Sequence, residues 1–173
     1  MDAKHHKPES REATTEAARM SSHHGILVHV VFSTKYRKPL LHDDWRDDLF
    51  AYIGGTIKVH NAVLLKSGGI EDHVHLLIKF HPTFAISSTI QLLKANSSKW
   101  INERGNKNNK FHWQSGYGAF SVSQSMTEPV EDYVANQRAH HHRLTFREEY
   151  LAMLKKHRID FDPNYVFDQE ITA

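Results

Sequence analysis

Residues 61–80, NAVLLKSGGIEDHVHLLIKF, decide how the chain folds. Side chains alternate across a strand, so Val74, Leu76, Ile78 and Phe80 share one face while His73, His75, Leu77 and Lys79 share the other. The first set is a core face. The run before it, with Val63, Leu64 and Leu65, reads as a second strand. Ser67, Gly68 and Gly69 between the two predict a turn or bulge that joins them as an antiparallel pair. His73 and His75 then point the same way, separated by roughly 6.5 to 7 Å of strand rise, and two imidazoles leaning together from there can reach one ion. A bare H-x-H is a weak sign of metal, because an amphipathic strand with histidines on its polar side explains it equally well.

Working outward, GILVHVVFST (25–34) is rich in β-branched residues and predicts a strand, followed by a basic loop, TKYRKPLL, broken at Pro39. From Asp43, the apolar positions Trp45, Leu49, Tyr52, Ile53 and Ile57 recur at helical steps behind an acidic start. Gly54 and Gly55 weaken that helix and suggest close packing on the sheet. A second helix spans Thr83 to Arg104, with Ile86, Ile90, Leu93, Trp100 and Ile101 inward, and FHWQSGYGAFSVS (111–123) supplies a fourth strand. Strand, helix, strand, strand, helix, strand is the order of an α+β fold: a ferredoxin-like split βαβ sheet of antiparallel strands with helices on one face. MTEPVEDYVANQRAHHHR (126–143) adds a C-terminal helix bearing Tyr133, with Ser125 or Thr127 as N-cap and Pro129 in its first turn. FREEYLAMLKKHRI forms a last helix and DFDPNYVF a tail over the body.

Residues 1–22 are polar, offer no apolar face and are expected to form a disordered leader, leaving 23–173 as a single domain. No apolar run approaches the roughly 20 residues that span a bilayer, and the start lacks the apolar segment of a secretory signal, so a cytoplasmic protein is expected. With no cysteine, disulfides and thiolate metal sites are excluded. The net charge of +2 does not by itself announce a nucleic-acid partner, although 15 histidines would add positive charge at mildly acid pH.

Tyr133 and Gln137 lie four apart on the Tyr133 helix and so project from one side. A core aromatic beside a surface amide is the plain reading. The chemical reading is that the Gln137 oxygen joins His73 and His75 around a hard cation, Mg²⁺ or Mn²⁺, next to a phenol whose ordinary pKa near 10 makes it a poor nucleophile unaided. Each motif then supplies what the other lacks.

Read together, these pieces resemble the single-tyrosine HUH transposases of the insertion-sequence 200/605 family. VHVVFSTKYRKPLL is similar to that family's first strand and basic loop, EDHVHLLIKF to its HUH motif and SSKWINE to its second helix. FHWQSGYGAFSVSQS and VEDYVANQRAHH are similar to its last strand and tyrosine helix. The resemblance spans most of residues 25–145 in family order. It implies His73, His75 and Gln137 as metal ligands and Tyr133 as the nucleophile that attacks a single-stranded DNA phosphate. The products would be a 5′-phosphotyrosine link and a free 3′-OH, with rejoining that needs no nucleotide cofactor. It further implies DNA with hairpin ends as substrate, and a homodimer in which the tyrosine helix of one subunit completes the partner's site, Gly116 and Gly118 helping it move. A bacterial, cytoplasmic setting with association to the nucleoid during action follows as well.

Lys35, Arg37 and Lys38 in the basic loop, with Lys94, Lys99 and Arg104 on the second helix, are candidate DNA-backbone contacts. Asp72 is a candidate to orient a ligand histidine, while the run His140, His141 and His142 reads first as a solvated helix end, with contact of one of them to phosphate or the site as the alternative. Two other functions share the pattern: a domesticated relative that processes palindromes, and a non-catalytic ferredoxin-like module that binds nucleic acid on its sheet.

Overall fold

The computed structural model describes residues 23–104, 110–141 and 144–167; the leader assigned to residues 1–22, and His142, lie outside them. Four antiparallel strands, β1 (Ile26–Ser33), β2 (Val63–Gly69), β3 (His73–Phe80) and β4 (Gly118–Val122), form one sheet in the order β2-β3-β1-β4. Helices α1 (Asp43–Ile57) and α2 (Ile86–Arg104) connect them in the expected split βαβ order, and α3 (Thr127–Ala135), α4 (Gln137–His141) and α5 (Phe146–Lys156) follow.

The alternation in β1 and β3 divides the protein into two cores. Val28, Val30 and Phe32 of β1, with Val74, Leu76, Ile78 and Phe80 of β3, meet Leu49, Ile53 and Ile57 of α1 and Ile90, Leu93 and Ile101 of α2. Burying an aliphatic side chain of this size contributes about 1.5 to 3 kcal/mol, so this layer carries most of the hydrophobic stabilisation. The opposite face is not the wet side that the histidines suggested. Val31 and Phe120 there pack against Phe146, Tyr150 and Leu154 of α5, while α3 lies over β2 and β3. Helices therefore cover both faces, and His73 and His75 are wholly buried between the sheet and the C-terminal helices.

Four local expectations change. The β2–β3 turn falls at Ile70–Asp72, so Gly68 and Gly69 belong to β2, pairing with His75 and Val74, and the bulge lies between Leu64 and Lys66. Gly68 has a packing reason: a Cβ there would stand 1.7 Å from the Val134 carbonyl oxygen of α3. Gly54 has no such need, since a Cβ would meet Leu64 at an ordinary 3.5 Å, and Gly55 faces open space. The helix expected over 126–143 breaks at Asn136, whose backbone leaves helical geometry while its side chain donates to the Asp132 carbonyl at 2.8 Å. That local bond competes with helical continuation. Its N-cap position falls on Met126 instead of Ser125 or Thr127.

Candidate active site

β1 and β3 pair so that Ser33 faces His73, Val31 faces His75 and His29 faces Leu77. The odd-numbered side chains of both strands thus rise on one face under the C-terminal helices. Backbone contacts fix the turn before β3: Thr34 N–H and its hydroxyl both donate to the Asp72 carbonyl, and Leu41 N–H donates to that of Glu71. Asp72 is thereby held so that Oδ1 lies 2.7 Å from Nδ1 of His73. On the neighbouring strand, Nε2 of His29 lies 2.9 Å from Nδ1 of His75. Both histidines are tethered at Nδ1 and present Nε2 upward.

What they present it to was not expected. Glu149 of α5 is buried, and its Oε2 stands 3.5 Å from Nε2 of His75, 4.0 Å from Nε2 of His73 and 3.0 Å from Nε2 of His141. His73, His75, His141 and Glu149 each offer a donor atom within 4.8 Å of the others, a spacing that could hold a metal ion. Nε2 of His73, Nε2 of His75 and Oε2 of Glu149 are buried without a hydrogen bond of proper geometry. Buried polar atoms left this way are costly and normally mark a missing partner, so the donor set fits a bound cation. A capping box secures the start of α5: Thr145 Oγ1 accepts from the backbone N–H of Glu148, and the Glu148 carboxylate accepts from that of Thr145.

The electrostatics follow from burial against a single carboxylate. Burial pushes His75 down to about 4, against the opposing pull of Glu149, and burial with the neighbouring His75 pushes His29 down to about 3. For Glu149 burial acts the other way, but the nearby imidazoles of His141 and His75 and the Tyr133 hydroxyl outweigh it and hold the carboxyl well below the usual range. Burial would lower His141, yet Glu149 and the Leu144 carbonyl raise it. The site is thus one carboxylate facing imidazoles with ligand-ready nitrogens.

Tyr133 stands at the rim. Its hydroxyl donates to Oε1 of Glu149, and its ring lies 5.9 Å from those of both His29 and His75 in the same chain. Burial and then Glu149 push the phenol well above its ordinary value. Gln137, buried past the break at Asn136, donates from Nε2 to the Tyr133 carbonyl at 3.2 Å and places Oε1 3.1 Å from Nε2 of His141. A cleft of about 670 Å³ between α3 and α5 runs down to this point, lined by His29, Phe120, Tyr133, His140, Glu149 and Lys156 among others.

None of the candidate DNA-contact residues lines the cleft at Tyr133. Lys35, Arg37 and Lys38 surround a short 3-10 turn in which Lys35 sits over the Tyr36 ring and Arg37 over Phe167. Lys94 donates to the carbonyls of Gln114, Ser115 and Gly116, Lys99 is 3.9 Å from Glu103, and Arg104 stacks on Trp100. Gly118 pairs with Val31 in β4, where a Cβ would stand 2.8 Å from the Phe120 ring and 2.9 Å from the Tyr150 ring.

Glu149 and His29 are site residues that the sequence reading does not name, and His141 is the member of the His140–His142 run that reaches the site. Glu149 shares the stripe of Phe146, Tyr150 and Leu154 on an amphipathic helix, and a carboxylate on an apolar stripe is a sign of a buried partner. His29 had the same alternation in β1 that exposed His73 and His75 in β3.

Residues 22–137 match the model of the family described as Transposase IS200 like, a span that includes His73, His75, Tyr133 and Gln137 but ends before His141 and Glu149. Two curated relatives, each a transposase for insertion sequence element IS200, come from Salmonella typhimurium and Salmonella typhi. Both are 26% identical over 114 residues, covering 63% of this chain and 74% of the relative. Among solved structures, a candidate transposase from Deinococcus radiodurans has a TM-score of 0.54 at 22% identity, over 67% of this chain and 93% of that one. A REP-associated tyrosine transposase bound to a REP hairpin has a TM-score of 0.54 at 14% identity, over 89% and 96% of the respective chains. Those two likenesses show a common fold. With the family model matched across two strand pairs and both motifs, the chain belongs to the IS200-like transposase family.

Proposed function

We propose that this protein cleaves and rejoins single-stranded DNA with hairpin ends, using Tyr133 as nucleophile and a divalent ion, Mg²⁺ or Mn²⁺ in the first instance, held at His73 and His75 beside Gln137. The observation that carries this reading is the Tyr133 hydroxyl bonded to a carboxylate that itself faces both histidines. The Tyr133 oxygen forms a bond to phosphorus while the P–O3′ bond breaks; the phenol proton is lost and the departing 3′-oxygen gains one. The reverse attack by a 3′-OH rejoins the strand, so no nucleotide cofactor is needed. An ion bound at the histidines would polarise the phosphoryl oxygens and offset the Glu149 charge that favours the protonated phenol. The cleft between α3 and α5 offers the approach, with Lys156, His140 and His157 beside it for phosphate.

A solved relative in fold holds a REP hairpin, which favours folded DNA as the substrate class, whether the protein moves an element or processes palindromes. The non-catalytic module is disfavoured because the sheet face that such modules use is covered here by α3, α4 and α5. We further propose that Tyr133 acts on the site of its own subunit, because it reaches Glu149 of the same chain, and that a homodimer, if formed, need not exchange α3. Among the described residues no helix is long and apolar enough to cross a membrane. A DNA substrate supports a bacterial cytoplasmic setting, with association to the nucleoid during action.

The test is end-labelled hairpin DNA incubated with protein and Mg²⁺ or Mn²⁺. Label at the 3′ end should become resistant to denaturant separation from protein, and label at the 5′ end should leave on a fragment with a free 3′-OH. The opposite partition, or cleavage without any linkage, would overturn the assignment.

A further inference from the structure

We propose that the cleft between α3 and α5 is a base pocket. It takes the nucleobase directly 3′ of the bond that is cut, the nucleotide left on Tyr133 through its 5′-phosphate, with the His157 ring as stacking surface. This rests on Tyr133 as the nucleophile toward single-stranded DNA, and it adds a specificity determinant built from residues that take no part in the bond exchange. His157 is thereby moved from phosphate to base, and Lys156 is left for the phosphate.

Helical spacing builds the two walls. Pro129 and Val130 precede Tyr133 on α3 by four and three residues, while Ala152, Met153 and Lys156 follow Glu149 on α5 by three, four and seven. Each wall therefore continues the helix face that carries a site residue. Phe120 of β4 lines the cleft with them, and His157, at the end of α5, sets its ring 4.8 Å from the Phe120 ring. Phe120 is buried and His157 is exposed, so the imidazole rests with one side toward the core and offers the other. Met126 and Leu144, large apolar side chains that line the same cleft, are also exposed. Its volume of about 670 Å³ falls within the roughly 300 to 1,000 Å³ of sites that bury a small molecule. Apolar walls, a ring platform and a cation fit a nucleotide, because a base gains by stacking and its phosphate by the charge.

The attack geometry selects which nucleotide enters. Attacking and departing oxygens lie in line across phosphorus, so the departing 3′-oxygen and its nucleotide stand on the far side from the Tyr133 oxygen. The 5′-oxygen of the retained nucleotide is equatorial, and its chain leaves phosphorus sideways, beside the phenol, where the cleft opens. An unpaired base can turn into such a slot, whereas a paired one cannot. The cleft also offers a means of reading the base. β4 is the last strand of the sheet, and Ser121 and Val122 on it line the cleft. The outer edge of such a strand presents backbone N–H and C=O groups that the sheet does not use, and these can hydrogen-bond the edge of a base.

The experiment uses the full chain and the hairpin DNA of the cleavage test, with the cut bond mapped, in single-turnover reactions over a range of protein concentrations. An abasic residue directly 3′ of the cut should raise the protein concentration for half-maximal cleavage by roughly 5- to 100-fold, and an abasic residue directly 5′ of it by much less. His157→Ala should bring a rise of the same order on intact DNA and little more on the 3′-abasic DNA, since both changes remove one contact. His157→Phe, which keeps a ring and drops the imidazole's charge, should stay near the parent. Equal values for intact and 3′-abasic DNA would overturn the proposal. So would equal losses in His157→Phe and His157→Ala, which would make His157 a phosphate contact. The abasic comparison uses the parent chain and decides the matter even if His157→Ala fails to fold, which circular dichroism checks. In these outcomes the protein–DNA linkage persists and the functional reading stands; no linkage with the parent chain would overturn both.

Discussion

Gly68→Ala adds one methyl group on β2, directly under the helix that carries Tyr133. The new Cβ would lie 1.7 Å from the Val134 carbonyl oxygen and 2.8 Å from its carbon, where real contacts stay beyond 3.0 Å. Neither neighbour is a flexible side-chain end, so α3 must retreat from the sheet by roughly 1.3 Å. Overpacking of this kind costs about 1 to 3 kcal/mol of stability. Tyr133 precedes Val134 and moves with it, and a misplacement of about 1 Å in a reacting group can cost on the order of 100-fold in rate. The assay is single-turnover cleavage of hairpin DNA alongside denaturant unfolding. Gly55→Ala is the contrast, because a Cβ there meets nothing within 4 Å and the residue lies inside α1; it should stabilise by about 0.5 to 1 kcal/mol and leave cleavage unchanged. Parent-like rate and stability in Gly68→Ala would refute the claim that this contact sets the tyrosine.

Mixing Tyr133→Phe chains with His73→Ala chains tests the proposed same-chain site, for which no cleavage is expected; recovered activity would show that subunits exchange α3. His29 has a folded pKa of about 3 against 6.5 for the free group. Protonation therefore favours the unfolded chain, and the stability it lends is whole above pH 6.5 and lost as pH falls toward 3. In chelator, His29→Gln should flatten the loss of stability between pH 6 and 4 relative to the parent by up to about 1.4 kcal/mol per pH unit, measured by urea unfolding; identical slopes would show that His29 is not the group involved. Thr145→Ala removes the α5 cap and should cost about 1 kcal/mol, read as a lower urea midpoint.

The sheet was legible because β1 and β3 alternate cleanly, and their alternation fixed both the core face and the common direction of His73 and His75. The helix carrying Tyr133 was legible as an element but not as two, since the break at Asn136 depends on a side-chain bond to Asp132 that composition does not announce. The position of the β2–β3 turn was misread because two glycines look like turn residues; Gly68 is there so that Val134 can approach. Glu149 lies 74 residues from His75 in the chain, and only the packing of Phe146, Tyr150 and Leu154 on Val31 and Phe120 brings it over the histidines. That packing also turns a polar strand face into a buried one, which the strand alone could not reveal.

The most direct test of the central claim is peptide mapping by mass spectrometry of the adduct formed with single-stranded hairpin DNA. A nucleotide on the peptide containing Tyr133, absent in Tyr133→Phe, is the expected result. An adduct on any other residue, or one that survives Tyr133→Phe, would contradict it.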